Sequence, residues 1–494
     1  MEHPLLYQIN TRCWLRELSK KSSARITLAN VPDTEFRAWP ERGFTHVWLM
    51  GVWTTGARAR ALALNELNLR HDYNAVLPDW NEADVAGSPY AIADYQVPRA
   101  LGGERGLKAF RQKLNAYGLK LVLDFVGNHL GLDHPWVARR PELFVHSVKE
   151  VPESFPQPTC DGPRWLAHGK DPYFSAWTDT VQLDYRRAET RLAMTEVLQS
   201  IAARCDGVRC DMAMLMLNDV FAKTWAHRPN PTAVSPNAEF WAEAIQMVRQ
   251  SNPGFQFLAE VYWGLEGRMQ SLGFDYTYDK ALYDLLMQRR HAEVQQHLLN
   301  APPEYVAHSA HFLENHDEPR AASRLSFVEH RAASLLILGL PGLRFLHDGQ
   351  LTGAMLHVPV QLSRRRSEPG NADIGGFYER LLAVLKNSAV GRGKWELLRP
   401  RPAWPENSTW QNFVLVQWQS QPLAFDLVVV NPSPQRAQCY APLSFENLAD
   451  HNWRMRDLLG HETYERWGED LQTRGLYLDL PEHGAQLFRF EPIG

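Results

Sequence analysis

Several features that mark large classes of protein are scarce or missing in this chain. Its 494 residues include only five cysteines, Cys13, Cys160, Cys205, Cys210 and Cys439. The number is odd and the spacing scattered, which argues against a disulfide framework and a thiol metal site. Reduced thiols suit a cytosolic setting. No apolar run reaches membrane-spanning length, so no membrane partner is expected. No basic stretch followed by an apolar one succeeds Met1, so no secretory signal is visible and cytoplasmic residence is expected. Charge of one sign is also scarce. The formal net charge is −4, from 52 basic and 56 acidic side chains. Without a long run of Lys and Arg, nucleic acid is not expected as a partner. The triplet Arg364-Arg365-Arg366 reads as a solvated loop. Low-complexity tracts and short-period repeats are absent as well.

What is present is an ordinary globular composition, 45% hydrophobic and 22% charged. The length allows two or three domains. Strand-like apolar runs alternate with amphipathic helices, the pattern of a parallel sheet with helical crossovers. Eight strands are expected: Leu5–Arg12, His46–Trp53, Leu119–Val126, Gly207–Met212, Phe255–Trp263, Phe274–Tyr278, Ala310–Asn315 and Leu343–His347. Most are continuously apolar, as when both faces of a strand are buried. Between them, Leu107, Phe110 and Leu114 share one face of a helix over Gly106–Tyr117, followed by Gly118. Met194, Val197, Leu198 and Ile201 do the same over Glu189–Ala203. Eight such units predict an α/β fold, a (β/α)8 TIM barrel over 1–129 and 180–394.

Two stretches break the alternation. Residues 130–179 follow the third strand and are too long for a plain loop, so a small insertion domain is expected. From 395 to 494 the runs Phe413–Trp418 and Phe425–Val430 are separated by turn residues such as Asn431-Pro432-Ser433-Pro434. That pattern predicts a C-terminal antiparallel β-sandwich domain.

Active sites of such barrels form at the C-terminal ends of the strands. Four of those ends carry carboxylates directly after an apolar run. They are Asp124 before Asn128-His129, Asp211 after Arg209, Glu260 before Tyr262-Trp263, and Glu314-Asn315-His316-Asp317. Taken singly, each has an ordinary reading. Arg-x-Asp is commonly a surface ion pair, a Glu after a strand is commonly solvated, and Asn-His-Asp can be an Asx turn. The carboxylates gain meaning from occurring together, in order, on separate strands that converge on one axis.

These segments resemble the four short conserved regions of the α-amylase superfamily of glycoside hydrolases. The first is Leu123-Asp124-Phe125-Val126-Gly127-Asn128-His129 and the second Gly207-Val208-Arg209-Cys210-Asp211. The third holds Glu260 in Ala-Glu-Val-Tyr-Trp, and the fourth is Phe312-Leu313-Glu314-Asn315-His316-Asp317. Gln182-Leu183-Asp184-Tyr185 is similar to a further region near the end of the insertion.

The resemblance implies a retaining α-glycosidase. Asp211 would be the nucleophile, Glu260 the general acid/base, and Asp317 the residue that grips the sugar hydroxyls. Such enzymes need two nearby carboxylates, one charged and one protonated. Arg209 and Asp211 point the same way from a strand, so Arg209 should keep Asp211 ionised. The apolar neighbours Leu258, Val261 and Trp263 should raise the pKa of Glu260. His129 and His316 would bond sugar hydroxyls, with packing as their plain alternative. Tyr90 would stack on a pyranose, or else pack in the core. Asp124 would be a structural hydrogen-bonding residue beside the site. Trp53 and Trp263, at strand ends, are expected to touch sugar.

Some positions depart from the family pattern. Gly127 stands where many relatives carry Pro. Met214 and Leu215 stand where starch-cleaving relatives often carry Lys and His, which serve leaving-group sugars and a structural calcium. Asn128 could still ligate calcium, but no metal and no other cofactor is expected to be required. Malto-oligosaccharides or short α-glucosides are the expected substrates, and Gln182-Leu183-Asp184 leans the same way. The same motifs also serve transglycosylases, isomerases and phosphorylases with the same covalent intermediate. A non-catalytic sugar-binding protein is disfavoured because all three carboxylates are present. A metal-dependent barrel hydrolase is disfavoured because no His cluster marks the strand ends.

Overall fold

The computed structural model describes residues 3–228 and 237–493. Met1, Glu2, Gly494 and the stretch 229–236, which falls in the expected barrel range, lie outside the described residues. Eight parallel strands close into a barrel. In chain order they are β1 Leu5–Asn10, β2 His46–Met50, β3 Lys120–Val126, β4 Gly207–Asp211, β5 Gln256–Ala259, β6 Tyr276–Tyr278, β7 Ser309–His311 and β8 Leu343–His347. Each lies within a run expected to be a strand, apart from Ser309 at the head of β7. Several end earlier than expected, because the residues beyond them leave the ladder to form the rim of the site.

The barrel shows why alternate residues decide the site. Leu6, Trp48, Val122, Leu258, Ala310, Leu343 and Phe345 pack inside the barrel as one cluster. Continuing the same parity toward the C-terminal end gives Gln8, Asp124, Glu260 and, on β4, Arg209 and Asp211. The interior is therefore apolar below and polar at its mouth. The opposite parity, including Ile9, Val47, Leu121, Leu123, Val208, Cys210 and Phe257, faces the helices in the main core. Register fixes the rest: β4 pairs Arg209 with Asp124 on β3 and Cys210 with Ala259 on β5.

The helices expected from periodicity are α-helices at Gly103–Ala116 and Ala188–Ala202, and Gly118 after the first adopts a φ of +76°. After β3, His129–Gly131 pairs antiparallel with Thr180–Gln182. Between these two strands lies a three-stranded antiparallel sheet of His146–Ser147, Gly162–Ala167 and Ser154–Thr159. The C-terminal part is a six-stranded sheet with a separate two-stranded sheet, Ala437–Ala441 with Leu476–Leu480. One face of the larger sheet packs on the smaller through Leu415, Leu427, Trp453 and Leu478. The other joins the barrel core through Val416, Trp418 and Val428. There Trp418 Nε1 donates to the Gly339 carbonyl at 2.8 Å, and a Cβ on Gly339 would clash with Val428.

The Arg364–Arg366 stretch is not the solvated loop expected from sequence. Arg364 pairs with Asp79 and Asp84, and Arg365 with Glu17 and Asp348. Acids distant in sequence take up two of the three charges, which a reading of local composition does not detect. Among the described residues no helix is long and apolar enough to cross a membrane.

Candidate active site

The site is organised around one guanidinium. Arg209 is fully buried inside the barrel mouth. Its Nη1 donates to Asp211 Oδ1 at 2.5 Å, and its Nη2 lies 2.7 Å from Glu260 Oε2 and 4.0 Å from Asp317 Oδ2. Three rings box it, Tyr90, Trp48 and Tyr278, with centroids 5.3, 5.4 and 5.7 Å from Cζ. Such rings favour a cation in a dry site. The three carboxylates named from the strand ends are thus gathered on one charge.

Glu260 receives three further or shared donors. Met212 N–H donates to Oε2 at 2.7 Å, Tyr262 Oη donates to Oε1 at 2.7 Å, and Arg209 reaches Oε2. Met212 has a φ of +42°, a left-handed conformation that costs a non-glycine residue free energy. This turn, directly after β4, aims the Met212 amide at Glu260. Despite these donors, burial raises the Glu260 pKa to about 7, with Arg209 the main opposing influence. The rise matches the sequence expectation. At Asp211 burial raises the pKa as well, and Arg209 opposes this by charge and hydrogen bond, the direction expected of it. The guanidinium is divided between two carboxylates, so it does not hold Asp211 down alone. Asp317 is the open member, with 45% of its side chain exposed.

Around this triad, His316 is buried. Its Nδ1 meets the Gln8 carboxamide at 2.6 Å; its Nε2 meets Tyr90 Oη at 2.6 Å and Asp317 Oδ2 at 3.0 Å. Tyr90 lies with its ring 21° from the His316 plane. Burial and the nearby Arg209 charge hold the His316 pKa well below its ordinary value, so the ring is neutral near pH 7. His129, also buried, is lowered to about 4 by desolvation and packs on Trp177 of the insertion at 5.1 Å. Asp124 accepts from Trp48 Nε1 at 3.0 Å and the Gly51 amide at 2.9 Å. That ties β2 to β3, the structural bonding expected of it, while burial raises its pKa to about 7.

The tryptophans divide. Trp263 is 40% exposed at the end of the Glu260 segment, with φ +68°, and meets Tyr173 edge-on at 4.9 Å. Trp53 is the correction. It is fully buried, its Nε1 donates to the Asp124 carbonyl at 2.8 Å, and its ring packs on Tyr95. It lies beyond the last ladder residue of β2 but turns into the core, so no face is left for a sugar.

Gln8, Trp48, Tyr262, Tyr278 and Trp177 were not singled out from sequence. Gln8 and Trp48 could have been found by following strand parity. Trp177 could not, because only the fold brings the insertion over His129. Met214 and Leu215 are buried in a short 3-10 turn after β4. The Asn128 side chain is engaged by Gln182, whose Nε2 donates to Oδ1 at 3.0 Å.

Comparison with known proteins finds that the family model for the alpha-amylase catalytic domain matches residues 43–368. The chain is similar to alpha-amylase MalA of Haloarcula japonica, 24% identical over 279 residues, covering 55% of this chain and 37% of that one. It is also similar to maltase 1 of Drosophila virilis, 24% identical over 336 residues, covering 57% and 52%. The matched part thus spans between about a third and a half of these relatives' length. Among solved structures, a noncanonic maltogenic alpha-amylase AmyB from Thermotoga neapolitana superposes with TM-score 0.69, 18% identity and 99% of both chains covered. An alpha-amylase from Geobacillus thermoleovorans complexed with acarbose gives TM-score 0.66, 16% identity, and covers 100% of this chain and 99% of its own. At such identities these two establish likeness of fold.

Proposed function

The chain belongs to the alpha-amylase family, and from that premise we propose that it is a retaining α-glycosidase acting on malto-oligosaccharides or short α-glucosides. The observation that carries the reading is the sharing of Arg209 by Asp211 and Glu260. One guanidinium fork spans both carboxylates, so they lie close together. An inverting enzyme needs a wider gap, about 6.5–9.5 Å, to seat a water between sugar and base. Glu260, with its pKa near 7, holds the proton that the leaving glycosidic oxygen needs. Asp211 attacks the anomeric carbon as that bond breaks and forms a glycosyl ester. Glu260, now a carboxylate, takes a proton from water, and the hydroxide displaces Asp211. Asp317, open at the mouth, receives sugar hydroxyls, with neutral His316 and His129 beside it.

Buried, apolar Met214 and Leu215 favour short substrates, since they offer no polar side chain to leaving-group sugars. The names of the relatives, a maltase and a maltogenic amylase among them, point the same way. No resident metal is needed on this reading: the Asn128 amide is satisfied by Gln182. The five free cysteines suit a reducing cytoplasm.

The test is turnover of maltose through maltoheptaose, trehalose, isomaltose and starch, with and without chelator, beside Asp211→Asn. Glucose or shorter maltosides released by the wild type alone support the proposal, and chelator should change nothing. New disaccharides or sugar phosphates would replace hydrolysis by transfer. No turnover, together with no adduct on Asp211 from an activated fluoroglycoside, would sink the enzymatic reading.

A further inference from the structure

Away from the barrel axis, an open cavity of about 380 Å³ lies between the first helix, Thr11–Ser22, and the segments that follow β2. Among the described residues its charged lining is Arg12, Arg16 and Arg25, with no acidic side chain. Arg16 is neutralised by Asp84 at 2.8 Å, but Asp84 also serves Arg364. Arg12 and Arg25 are different. Among the described residues no carboxylate lies within ion-pair distance of either. Arg12 donates to the carbonyls of Trp53 at 3.1 Å and Gly87 at 3.5 Å, and Arg25 to that of Ala100 at 3.4 Å. Carbonyls satisfy N–H groups without cancelling the charge, so half-buried Arg12 and exposed Arg25 each keep an unpaired positive charge at the cavity. Burial pulls the Arg12 pKa down to about 10. The remaining wall is mostly apolar, with Leu15, Ile26 and Leu101 prominent.

We propose that this cavity binds a phosphate monoester, its dianion held by Arg12 and Arg25 and its organic part laid against Leu15, Ile26 and Leu101. Guanidinium forks match phosphate oxygens in pairs. Two uncompensated cations match a group that carries close to two negative charges at neutral pH. The apolar wall favours an ester over the bare ion, because only an ester has a body to bury. The site stands on residues outside the catalytic machinery, so it does not depend on the activity proposed above.

Isothermal titration with phenyl phosphate and with inorganic phosphate tests this. Wild-type protein should bind phenyl phosphate at one saturable site, more tightly than inorganic phosphate. Arg25→Ala removes an exposed side chain and should fold normally, as a thermal melt would verify. It should weaken binding at least about tenfold, or ~1.4 kcal/mol. Arg12→Gln should weaken it further. Absence of saturable binding overturns the proposal. So does binding undiminished in Arg25→Ala, which would place the ligand elsewhere, and so does equal affinity for the two phosphates, which would leave the apolar wall without a role.

Discussion

Replacing Tyr262 by Phe removes one atom, and the structure gives that atom a single task. Tyr262 Oη donates to Glu260 Oε1 at 2.7 Å. The bond favours the carboxylate over the acid, so Tyr262 holds the Glu260 pKa down. A hydrogen bond to a charged group is worth about 1.5–3 kcal/mol, and one pKa unit corresponds to 1.36 kcal/mol. Arg209 and the Met212 amide remain on the other oxygen and share the load. The low end of the range therefore applies, a rise of about one unit, from about 7 toward about 8. The alkaline limb of kcat/KM reports the acid in the free enzyme. Measured on maltotriose, whose poor leaving group needs the proton, that limb should move to higher pH in Tyr262→Phe. Circular dichroism would verify that the fold is retained. A uniform drop in rate with the limb unmoved would make Tyr262 a packing residue. A shift to lower pH would reverse the sign of the argument.

Two further outcomes follow from burial. In Glu260→Gln a neutral amide replaces a buried acid whose folded pKa is about 7 against an ordinary 4.5. Below about pH 4.5 both states hold the proton and the variant gains nothing; between 4.5 and 7 the unfolded chain releases it first, so wild-type stability falls as pH rises. The variant should thus be more stable at pH 8, by up to about 3 kcal/mol, and not at pH 4; urea midpoints at both values decide, and a gain independent of pH refutes the linkage. Trp53→Phe should cost roughly 1–3 kcal/mol through the lost bond to Asp124 and lost packing, with KM for maltotriose unchanged. A raised KM with unchanged urea stability would restore Trp53 as a sugar contact.

The barrel strands were legible because a parallel strand buried on both faces writes a continuous apolar run. Their exits into polar sequence marked Asp124, Asp211, Glu260 and Asp317. Local periodicity also placed the helix that ends before Gly118. It gave no hint of where side chains past a strand end would turn. Trp53 and Trp263 sit in similar sequence positions, yet one is sealed in the core and the other is open at the rim. The same blindness applied to Arg364 and Arg365, whose partners Asp84 and Glu17 lie hundreds of residues away.

By itself, then, the order of apolar and polar residues determined which strands exist, which parity faces inward and which carboxylates stand at their ends. Those are consequences of covalent alternation along a strand. Closure of the barrel decided the rest. It set Asp211 and Glu260 on one guanidinium, brought Trp177 over His129, and buried the site deeply enough to raise Glu260 toward neutrality. Desolvation depends on everything that surrounds a group, and no stretch of sequence contains its own surroundings.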